Sequence, residues 1–335
     1  MLRGQLQTIQ FDSQCLRGNP LGDPTHRETW VYTPPGYESG GRFPTVTLLP
    51  GFAGNHRSML GFSPWKPNTV ELFEGLLDKE SCPPAILVMP DCTTRWGGSQ
   101  FIDSPATGMY QTYLAEEVIP EIDRRFRTIA SREGRAVAGR SSGGFGALRL
   151  GMDRPDLVSV LGSHAGDAAF DISMRPMLTS ASIGLAKAGG LSNFLENVSE
   201  RGPRGSAEFD AIFVAACAAA YSGSEDLPFP HFSLPMDITT ARIIPEVWSD
   251  WLANDPLLLA PTAAKALSTM SLIFIDAGDV DEHGLQFAAS QLAETLKSQG
   301  AAVLHEEYPG GHRHTSYRYE NSLPKMIEAL APAER

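Results

Sequence analysis

The sequence lacks any long apolar run. None of its apolar stretches approaches the roughly 20 consecutive residues that a membrane-spanning helix requires. Residues 1–14 also lack the apolar core that is typical of a secretory signal peptide. We therefore expect a cytoplasmic protein that does not have a membrane as a partner.

Positive charge is scarce too. The chain has 27 Lys and Arg residues against 39 Asp and Glu residues, which gives a formal net charge of −12. Nucleic-acid binding depends on clustered basic side chains that neutralise phosphates, so this balance argues against nucleic acid as the main partner. We expect a small-molecule partner instead, and a homo-oligomer stays open.

Cysteine is rare, with four among 335 residues, and no two of them form a CxxC pair. Cys82 and Cys92 flank an apparent strand. At about 3.3 Å per residue they would lie roughly 30 Å apart, whereas a disulfide needs Cα atoms within about 7 Å. We therefore expect free thiols, and we predict neither a metal nor a cofactor.

What the sequence does contain is a regular alternation of strand and helix patterns. Short β-rich or continuously apolar runs predict strands at Glu28–Thr33, Thr45–Leu49, Ala85–Met89, Arg135–Gly139, Leu157–Ser163, Leu272–Ala277 and Ala302–Glu307. Helical patterns predict helices at Asn68–Lys79, Tyr110–Phe126, Ser142–Met152, Leu285–Ser298 and Ser316–Leu330. This alternation predicts an α/β protein with a mostly parallel central sheet flanked by helices.

One long segment interrupts the alternation. Residues 168–260 are rich in Ala, Gly, Ser and Pro and include helical fragments such as Ala207–Ala220. They far exceed the roughly 2–6 residues of an ordinary connection. We expect a core domain formed by residues 1–167 and 261–335, with residues 168–260 as a mainly helical cap insertion. A partly disordered surface insertion is the alternative.

The strongest chemical signal lies between a predicted strand and a predicted helix, at Gly139-Arg140-Ser141-Ser142-Gly143-Gly144. A nucleophile elbow turns so tightly that glycine is favoured two residues before and two residues after the nucleophile. Gly139 and Gly143 meet this requirement for Ser141, whereas Ser142 would have Arg140 at the first of these positions. We therefore predict Ser141 as a catalytic nucleophile.

A serine nucleophile needs a base and an acid, which follow it along the chain in this kind of fold. The turn after the strand Leu272–Ala277 carries Asp279 and Asp281, and the residues alone leave both open as the acid. After the next strand, Gly310 and Gly311 precede His312, which we predict as the base. His314 is the second candidate for this role.

An oxyanion hole needs backbone N–H groups near the nucleophile. The loop after the strand Thr45–Leu49 offers the N–H of Phe52, or in second place that of Ala53, and the start of the elbow helix offers the N–H of Ser142. Asp91 is either an aid to this loop or a structural turn residue. We also predict four substrate contacts, each of which has simple packing as its alternative: Trp65, Trp96, Tyr110 and His164.

These motifs together resemble a family of α/β-hydrolases that includes esterase D-like, enterochelin-esterase-like, feruloyl-esterase and antigen 85-like proteins. The segment Gly139–Gly144 is similar to its GxSxGG motif, Gly278–Asp281 to its GxxD motif and Gly310–His312 to its GGH motif. The resemblance covers nearly the whole chain. It implies an α/β-hydrolase fold, and it selects Asp281 over Asp279 as the acid.

The function expected from this resemblance is a serine carboxylic-ester hydrolase that acts through a Ser-His-Asp triad and an acyl-enzyme. Short-acyl or aromatic, feruloyl-like esters are the expected substrates. An acyltransferase with the same triad is one alternative, and a non-catalytic binding relic of the fold is another. The family often has Trp directly after the GGH motif, but Arg313 stands there in this chain.

Overall fold

An eight-stranded sheet forms the centre of the molecule. The computed structural model describes residues 2–332. Its strands are β1 Gln5–Asp12, β2 His26–Thr33, β3 Thr45–Leu49, β4 Ile86–Pro90, β5 Asp103–Ser104, β6 Gly108–Met109, β7 Arg135–Arg140, β8 Val160–His164, β9 Leu272–Gly278 and β10 Val303–Tyr308. The sheet order is β1-β2-β4-β3-β7-β8-β9-β10, with β2 antiparallel to both of its neighbours and every other pair from β4 to β10 parallel. Strands β5 and β6 form a separate short hairpin.

Helices flank this sheet, as the alternation of patterns predicts. They are α1 Thr69–Asp78, α2 Tyr110–Thr112, α3 Ile119–Arg125, α4 Ser142–Asp153, α5 Phe170–Ser173, α6 Met177–Lys187, α7 Leu191–Arg201, α8 Gly205–Tyr221, α9 Pro245–Leu252, α10 Pro256–Leu267, α11 Leu285–Ser298 and α12 Tyr319–Glu328. A π-helical stretch, Tyr113–Val118, joins α2 to α3. No helix within residues 2–332 combines the length and the apolar character needed to cross a bilayer.

The central strands are buried along most of their length because both faces of the sheet are covered. One apolar cluster joins the sheet to α4, α10 and α11 through residues such as Leu148, Leu267 and Leu292. A second cluster on the opposite face includes Phe73 of α1 and Leu323 of α12. Strands buried on both faces read as continuous apolar runs, so the sequence pattern and the layered fold agree. The predicted mostly parallel sheet flanked by helices is confirmed.

Strand β1 is the longest strand that the sequence patterns do not predict. Seven of its eight residues are at least partly accessible, and only Ile9 is buried. It lies at the edge of the sheet and pairs with β2 alone. An edge strand with little buried surface carries almost no periodic apolar signal, which explains why it was missed.

The segment between β8 and β9 contains six helices, α5–α10. Helix α8 is buried continuously from Ala211 to Tyr221, as expected for a helix that is apolar on all sides. Helix α6 packs closely on it, since a Cβ added at Gly184 would lie closer than 3.0 Å to the backbone of Ala207. Helix α10 crosses the predicted insertion boundary at 260/261 and packs against α4 and α11. This packing joins α10 to the core layer, whereas the division into core and cap stays a prediction.

Asp255 ties the two ends of this helical segment together. Its buried carboxylate accepts hydrogen bonds from the N–H groups of Ala169 at 2.9 Å and Phe170 at 2.7 Å, where the segment begins. It also accepts from the N–H of Leu257 at 2.9 Å and thereby caps α10. One side chain thus satisfies three backbone donors from two chain segments.

Replacing Asp255 with alanine should lower the free energy of unfolding by about 2–4 kcal/mol, because buried N–H groups would lose their acceptor. Urea denaturation of the wild type and the variant measures this difference. Asp250→Ala is the matched control: Asp250 is exposed on α9, and its loss should change the free energy by less than about 0.5 kcal/mol. Equal effects from the two variants would contradict the role given to Asp255.

Candidate active site

Ser141 occupies the sharp turn between β7 and α4. Its backbone has φ 53° and ψ −122°, an unfavourable conformation for a residue with a side chain. The N–H of Ser141 donates to the carbonyl of His164 on the neighbouring strand at 2.9 Å, and its own carbonyl accepts from the N–H of Phe145 at 3.0 Å. These two bonds hold the strained residue between the sheet and the helix.

The glycines around Ser141 are required by close contacts between backbone segments. A Cβ added at Gly139 would lie closer than 3.0 Å to the backbone of Gly143, and one added at Gly143 would lie equally close to the backbone of Leu49. Neither neighbour is a flexible side chain that could move away. The spacing that selects Ser141 in the sequence therefore has a steric cause in the fold.

The structure brings Ser141, His312 and Asp281 together. Nε2 of His312 lies 3.0 Å from Oγ of Ser141, and Nδ1 of His312 lies 2.8 Å from Oδ2 of Asp281. Oδ1 of Asp281 accepts from the N–H of His283 at 2.9 Å. His312, which lies 31 positions after Asp281 and 171 positions after Ser141 in the sequence, thus connects the two in one continuous series of hydrogen bonds.

The electrostatic setting keeps Asp281 ionised. Burial by itself would raise the pKa of Asp281, but the hydrogen bond from His312, the charge of that imidazole and the N–H of His283 lower this pKa below its usual value overall. An ionised carboxylate accepts the Nδ1–H of His312, so that Nε2 is left free to take a proton from Ser141. The tautomer needed for a general base is therefore favoured.

The loop that carries His312 is held by two further carboxylates. Glu282 accepts from the backbone N–H of His312 at 2.7 Å, and this bond lowers the pKa of Glu282. Asp279, the other acid candidate, accepts from the N–H of Gly310 at 3.0 Å and does not contact the imidazole. His314, the other base candidate, is exposed. Asp279 and Glu282 therefore shape the loop, while Asp281 meets the ring.

Of the predicted oxyanion-hole residues, Phe52 lines the same cavity as Ser141, and Ser142 is the first residue of α4. Among residues 2–332, neither the N–H of Phe52 nor that of Ser142 donates a hydrogen bond to another residue. The N–H of Ala53, by contrast, donates to the carbonyl of Gly97 at 3.0 Å, so the second candidate is already engaged. Asp91 accepts from the N–H of Thr93 at 3.0 Å and from its hydroxyl at 2.6 Å, which makes it a turn residue of its own loop.

A cavity of about 550 Å³ opens over Ser141 and His312. Its apolar wall comes largely from the helical segment and from the loop after β3: Phe52, Met174, Met177, Pro203, Phe209 and Phe213. Its polar wall includes Arg140, Asp167, Asp210, His283 and Arg313. The ring of Phe52 lies edge-on to that of Phe213, with 5.0 Å between their centroids, so α8 closes directly over the loop that follows β3.

The four predicted substrate contacts do not line this cavity. Trp65 is 89% exposed on a surface loop. Trp96 is buried against Phe232, with 5.5 Å between the ring centroids. Tyr110 is fully buried, and its hydroxyl accepts from the guanidinium of Arg27 at 2.7 Å.

His164 has a structural role between the sheet and α12. Its Nδ1 lies 2.7 Å from Asp276, and its Nε2 lies 3.0 Å from the hydroxyl of Ser322 on α12. Asp276 in turn accepts from Arg318 at 2.8 Å. Although His164 ends a strand beside the elbow, its side chain packs towards α12, because alternate residues of a strand point to opposite faces.

Asp167 and His283 also line the cavity, although the sequence patterns predict a role in the site for neither of them. Asp167 follows the end of β8, and the ends of parallel strands are where ligands bind in such sheets, so its position carried a usable signal. The ring of His283 lies edge-on to that of His312, with 4.9 Å between centroids. Burial and the nearby His312 lower the pKa of His283, which favours its neutral form.

The cysteines take no part in this site. Cys15, Cys82, Cys92 and Cys217 are free thiols, and none of them lines the cavity. Within the described part of the chain, no cluster of three or more His, Cys, Asp or Glu side chains is arranged to hold a metal ion.

The fold and the turn at Ser141 define the class of this protein as an α/β-hydrolase. More particularly, the chain belongs to the Putative esterase family, whose family model matches residues 24–330. The resemblance seen in the motifs is confirmed.

Two curated relatives are esterases of Mycobacterium tuberculosis, MT1326 and Rv1288. Each is 31% identical over 145 residues, which is 42% of this chain and 29% of the relative. The alignment therefore spans less than a third of the length of the relatives.

Solved structures share the fold over almost the entire chain. A ferulic acid esterase is 17% identical with a TM-score of 0.62, and the match covers 98% of this chain and 100% of that one. An S-formylglutathione hydrolase from Agrobacterium tumefaciens is 14% identical with a TM-score of 0.59, covering 99% and 97%. A fluorophosphonate-binding serine hydrolase of Staphylococcus aureus, FphF, is 14% identical with a TM-score of 0.57, covering 97% of each chain.

Proposed function

We propose that this chain hydrolyses carboxylic esters by two successive acyl transfers, with Ser141 as the nucleophile, His312 as the general base and acid, and Asp281 as the residue that orients His312. The observation that carries the proposal is the continuous contact from Ser141 Oγ through His312 to Asp281, at 3.0 and 2.8 Å. These distances lie within the range at which a base can take the proton of a nucleophile.

In the first step, Oγ of Ser141 attacks the ester carbonyl while its proton passes to Nε2 of His312. The tetrahedral intermediate then collapses, the C–O bond of the ester breaks, and Nε2–H protonates the departing alkoxide. In the second step, water attacks the acyl-enzyme with His312 again as the base, and the carboxylic acid leaves as Ser141 regains its proton. Asp281 stabilises the imidazolium that forms in both steps without itself being protonated.

The N–H groups of Phe52 and Ser142 are the proposed donors to the oxyanion. Neither donates to another residue within 2–332, and the N–H of Ser142 belongs to the first turn of α4, where helix N–H groups have no intrahelical acceptor. Each such donor contributes about 3 kcal/mol to the stabilisation of a tetrahedral intermediate.

The cavity favours a small ester with an apolar acyl or aromatic part. Its volume of about 550 Å³ is within the range of small-molecule sites, and aromatic and methionine side chains form much of its wall. The ferulic acid esterase among the structural neighbours makes aromatic esters a reasonable class to test beside short-acyl esters.

The experiment combines turnover with covalent labelling. Purified protein should release nitrophenolate from p-nitrophenyl acetate, butyrate or hexanoate, or ferulic acid from methyl ferulate. A fluorophosphonate probe should abolish that turnover, and mass spectrometry should locate the label on Ser141. Acylation at another serine, or turnover that survives complete labelling of Ser141, would rule out the proposed nucleophile.

Added alcohol distinguishes hydrolysis from acyl transfer. If water is the normal acceptor, free acid should stay the main product when methanol or glycerol is added at concentrations well below that of water. An ester product that dominates under these conditions would assign the chain to the acyltransferases.

A further inference from the structure

Asp167 is a buried carboxylate in the wall of the cavity. Asp167 is only 4% exposed, and it lines the same cavity as Ser141 and His312. Oδ2 of Asp167 accepts a long hydrogen bond, 3.4 Å, from the hydroxyl of Ser142. Within residues 2–332, no Lys or Arg side chain forms an ion pair with this carboxylate, and the side chain of Gln100 is a second hydrogen-bonding neighbour. The proposed mechanism makes no use of this group.

The surroundings of Asp167 compensate its charge only in part. Burial raises the pKa of Asp167 to about 6, while the charge of His312 and the side chains of Gln100 and Ser142 act in the opposite direction. Asp281 raises this pKa further, and the titratable groups of Cys217 and Tyr221 on α8 also lie close to Asp167. At neutral pH the cavity wall therefore holds a buried carboxylate that can accept further hydrogen bonds.

We propose that Asp167 selects esters whose acyl chain carries a hydrogen-bond donor, a hydroxyl or an ammonium group, a few bonds from the scissile carbonyl. This inference rests on the proposed function, because it assigns the substrate class of the same site. Asp167 contacts the side chain of Ser142, whose N–H is the proposed oxyanion donor. A carbonyl bound there would bring its own nearby substituents towards Asp167.

The physical basis is the cost of leaving a buried acceptor unpaired. An alkyl chain that enters the cavity excludes water from Asp167 and supplies no hydrogen-bond donor in its place. An acyl chain of the same size that carries a hydroxyl or an ammonium group restores the lost hydrogen bond. Sites built around a buried polar group reject analogues that lack its partner more strongly than apolar pockets reject a missing methylene. Discrimination is therefore expected between isosteres, not merely between chain lengths.

The test uses p-nitrophenyl esters that are isosteric in heavy atoms. Butyrate is compared with 3-hydroxypropionate and with 3-aminopropionate, and propionate is compared with glycolate. The two series place the donor at two different distances from the scissile carbonyl. The two donor types distinguish hydroxyl from ammonium recognition. The quantity measured is the ratio of kcat/KM for the donor ester to that for its alkyl isostere.

Comparing this ratio between wild type and variants removes the intrinsic reactivity of each ester, and it does not depend on how much enzyme is folded. Asp167→Leu, which removes the acceptor, should lower at least one donor-to-alkyl ratio by about tenfold or more. Asp167→Asn should lower the ammonium ratio in particular, because it removes the charge. Asp210→Asn is the matched control: Asp210 also lines the cavity, and its loss should change the ratios by less than about threefold.

Thermal unfolding supplies an independent readout for Asp167→Asn. The carboxyl has a pKa of 3.8 as a free group and about 6 in the folded chain, so ionisation costs the folded state stability as the pH rises through this window. The variant should therefore melt a few degrees above the wild type at pH 8, and this difference should vanish below about pH 4. A lower melting temperature at pH 8 would mean that the charge stabilises the fold, which would overturn the assignment.

The kinetic outcomes separate this inference from the proposed function. If butyrate is hydrolysed through Ser141 but no ratio changes in Asp167→Leu, the substrate class is overturned and the esterase function stands. A fall in turnover that is equal for all esters would assign Asp167 to the support of His312 and would likewise overturn it. If the ratios change equally in Asp167→Asn and Asp210→Asn, the preference comes from the overall negative electrostatic potential of the cavity, and the specific role of Asp167 is overturned. Absence of turnover with every ester would overturn both proposals.

Discussion

Replacing Ser141 with alanine should lower kcat for p-nitrophenyl esters by about 10,000-fold to 1,000,000-fold. The variant retains the cavity and the proposed oxyanion donors but has no atom that can form the acyl-enzyme bond. Its residual rate should approach that of water attack within the bound complex. Single-turnover and steady-state release of nitrophenolate measure the loss, and the variant should not react with a fluorophosphonate.

The control for this prediction is the neighbouring hydroxyl. Ser142→Ala keeps the backbone N–H that faces the proposed oxyanion and removes only the weak 3.4 Å contact with Asp167. We expect it to lose less than about tenfold in kcat, since this hydroxyl takes no part in the proposed acyl transfer, and to be labelled at Ser141. If Ser142→Ala were the inactive variant and Ser141→Ala the active one, the assignment at the elbow would be reversed.

Replacing Asp281 with asparagine should lower kcat by about 10,000-fold. The buried carboxylate accepts from Nδ1–H of His312 and from the N–H of His283. An amide can accept one of these bonds, but it can also present its NH₂ group to the imidazole and so stabilise the tautomer whose Nε2 carries the proton. That tautomer cannot take the proton of Ser141. Steady-state kinetics between pH 6 and pH 9 measures the loss.

Asp279→Asn is the matched control for Asp281. Asp279 is two residues away on the same turn, and its carboxylate holds the N–H of Gly310 at 3.0 Å, a bond that the asparagine carbonyl can also accept. We expect a loss of less than about tenfold in kcat. A larger loss from Asp279→Asn than from Asp281→Asn would show that the GxxD motif had been assigned to the wrong carboxylate.

The sequence was sufficient where a function has strict local requirements. The elbow needs glycine at 139 and 143 because two backbone segments meet there, and this requirement can be read from six consecutive residues. The strands β3, β7 and β9 were found within a residue of their bounds, since strands buried on both faces leave an uninterrupted apolar run. Edge strand β1 has no such run and could not be found in the same way.

The substrate contacts failed for a related reason. Trp96, Tyr110 and His164 lie in or near loops at the edge of the sheet where a site is expected, but all three are buried in packing or hydrogen-bond networks elsewhere. Position along the chain shows where a backbone passes, whereas the direction of a side chain depends on its neighbours in space. The actual wall comes from Met174, Phe209 and Phe213, in a segment whose packing cannot be read from its composition.

The fold class and the candidates Ser141 and His312 thus follow from local rules: the periodicity of buried strands, the glycines that a tight turn requires, and the order of the site residues along the chain. The choice of Asp281 over Asp279 needed the resemblance to a known family as well. The folded chain was needed to show which helices close over the site and that the carboxylate of Asp167 is buried in the cavity wall. Those properties arise from contacts between residues far apart in the chain, as between Asp167 and α8, and burial rather than residue type sets the energy of a charge.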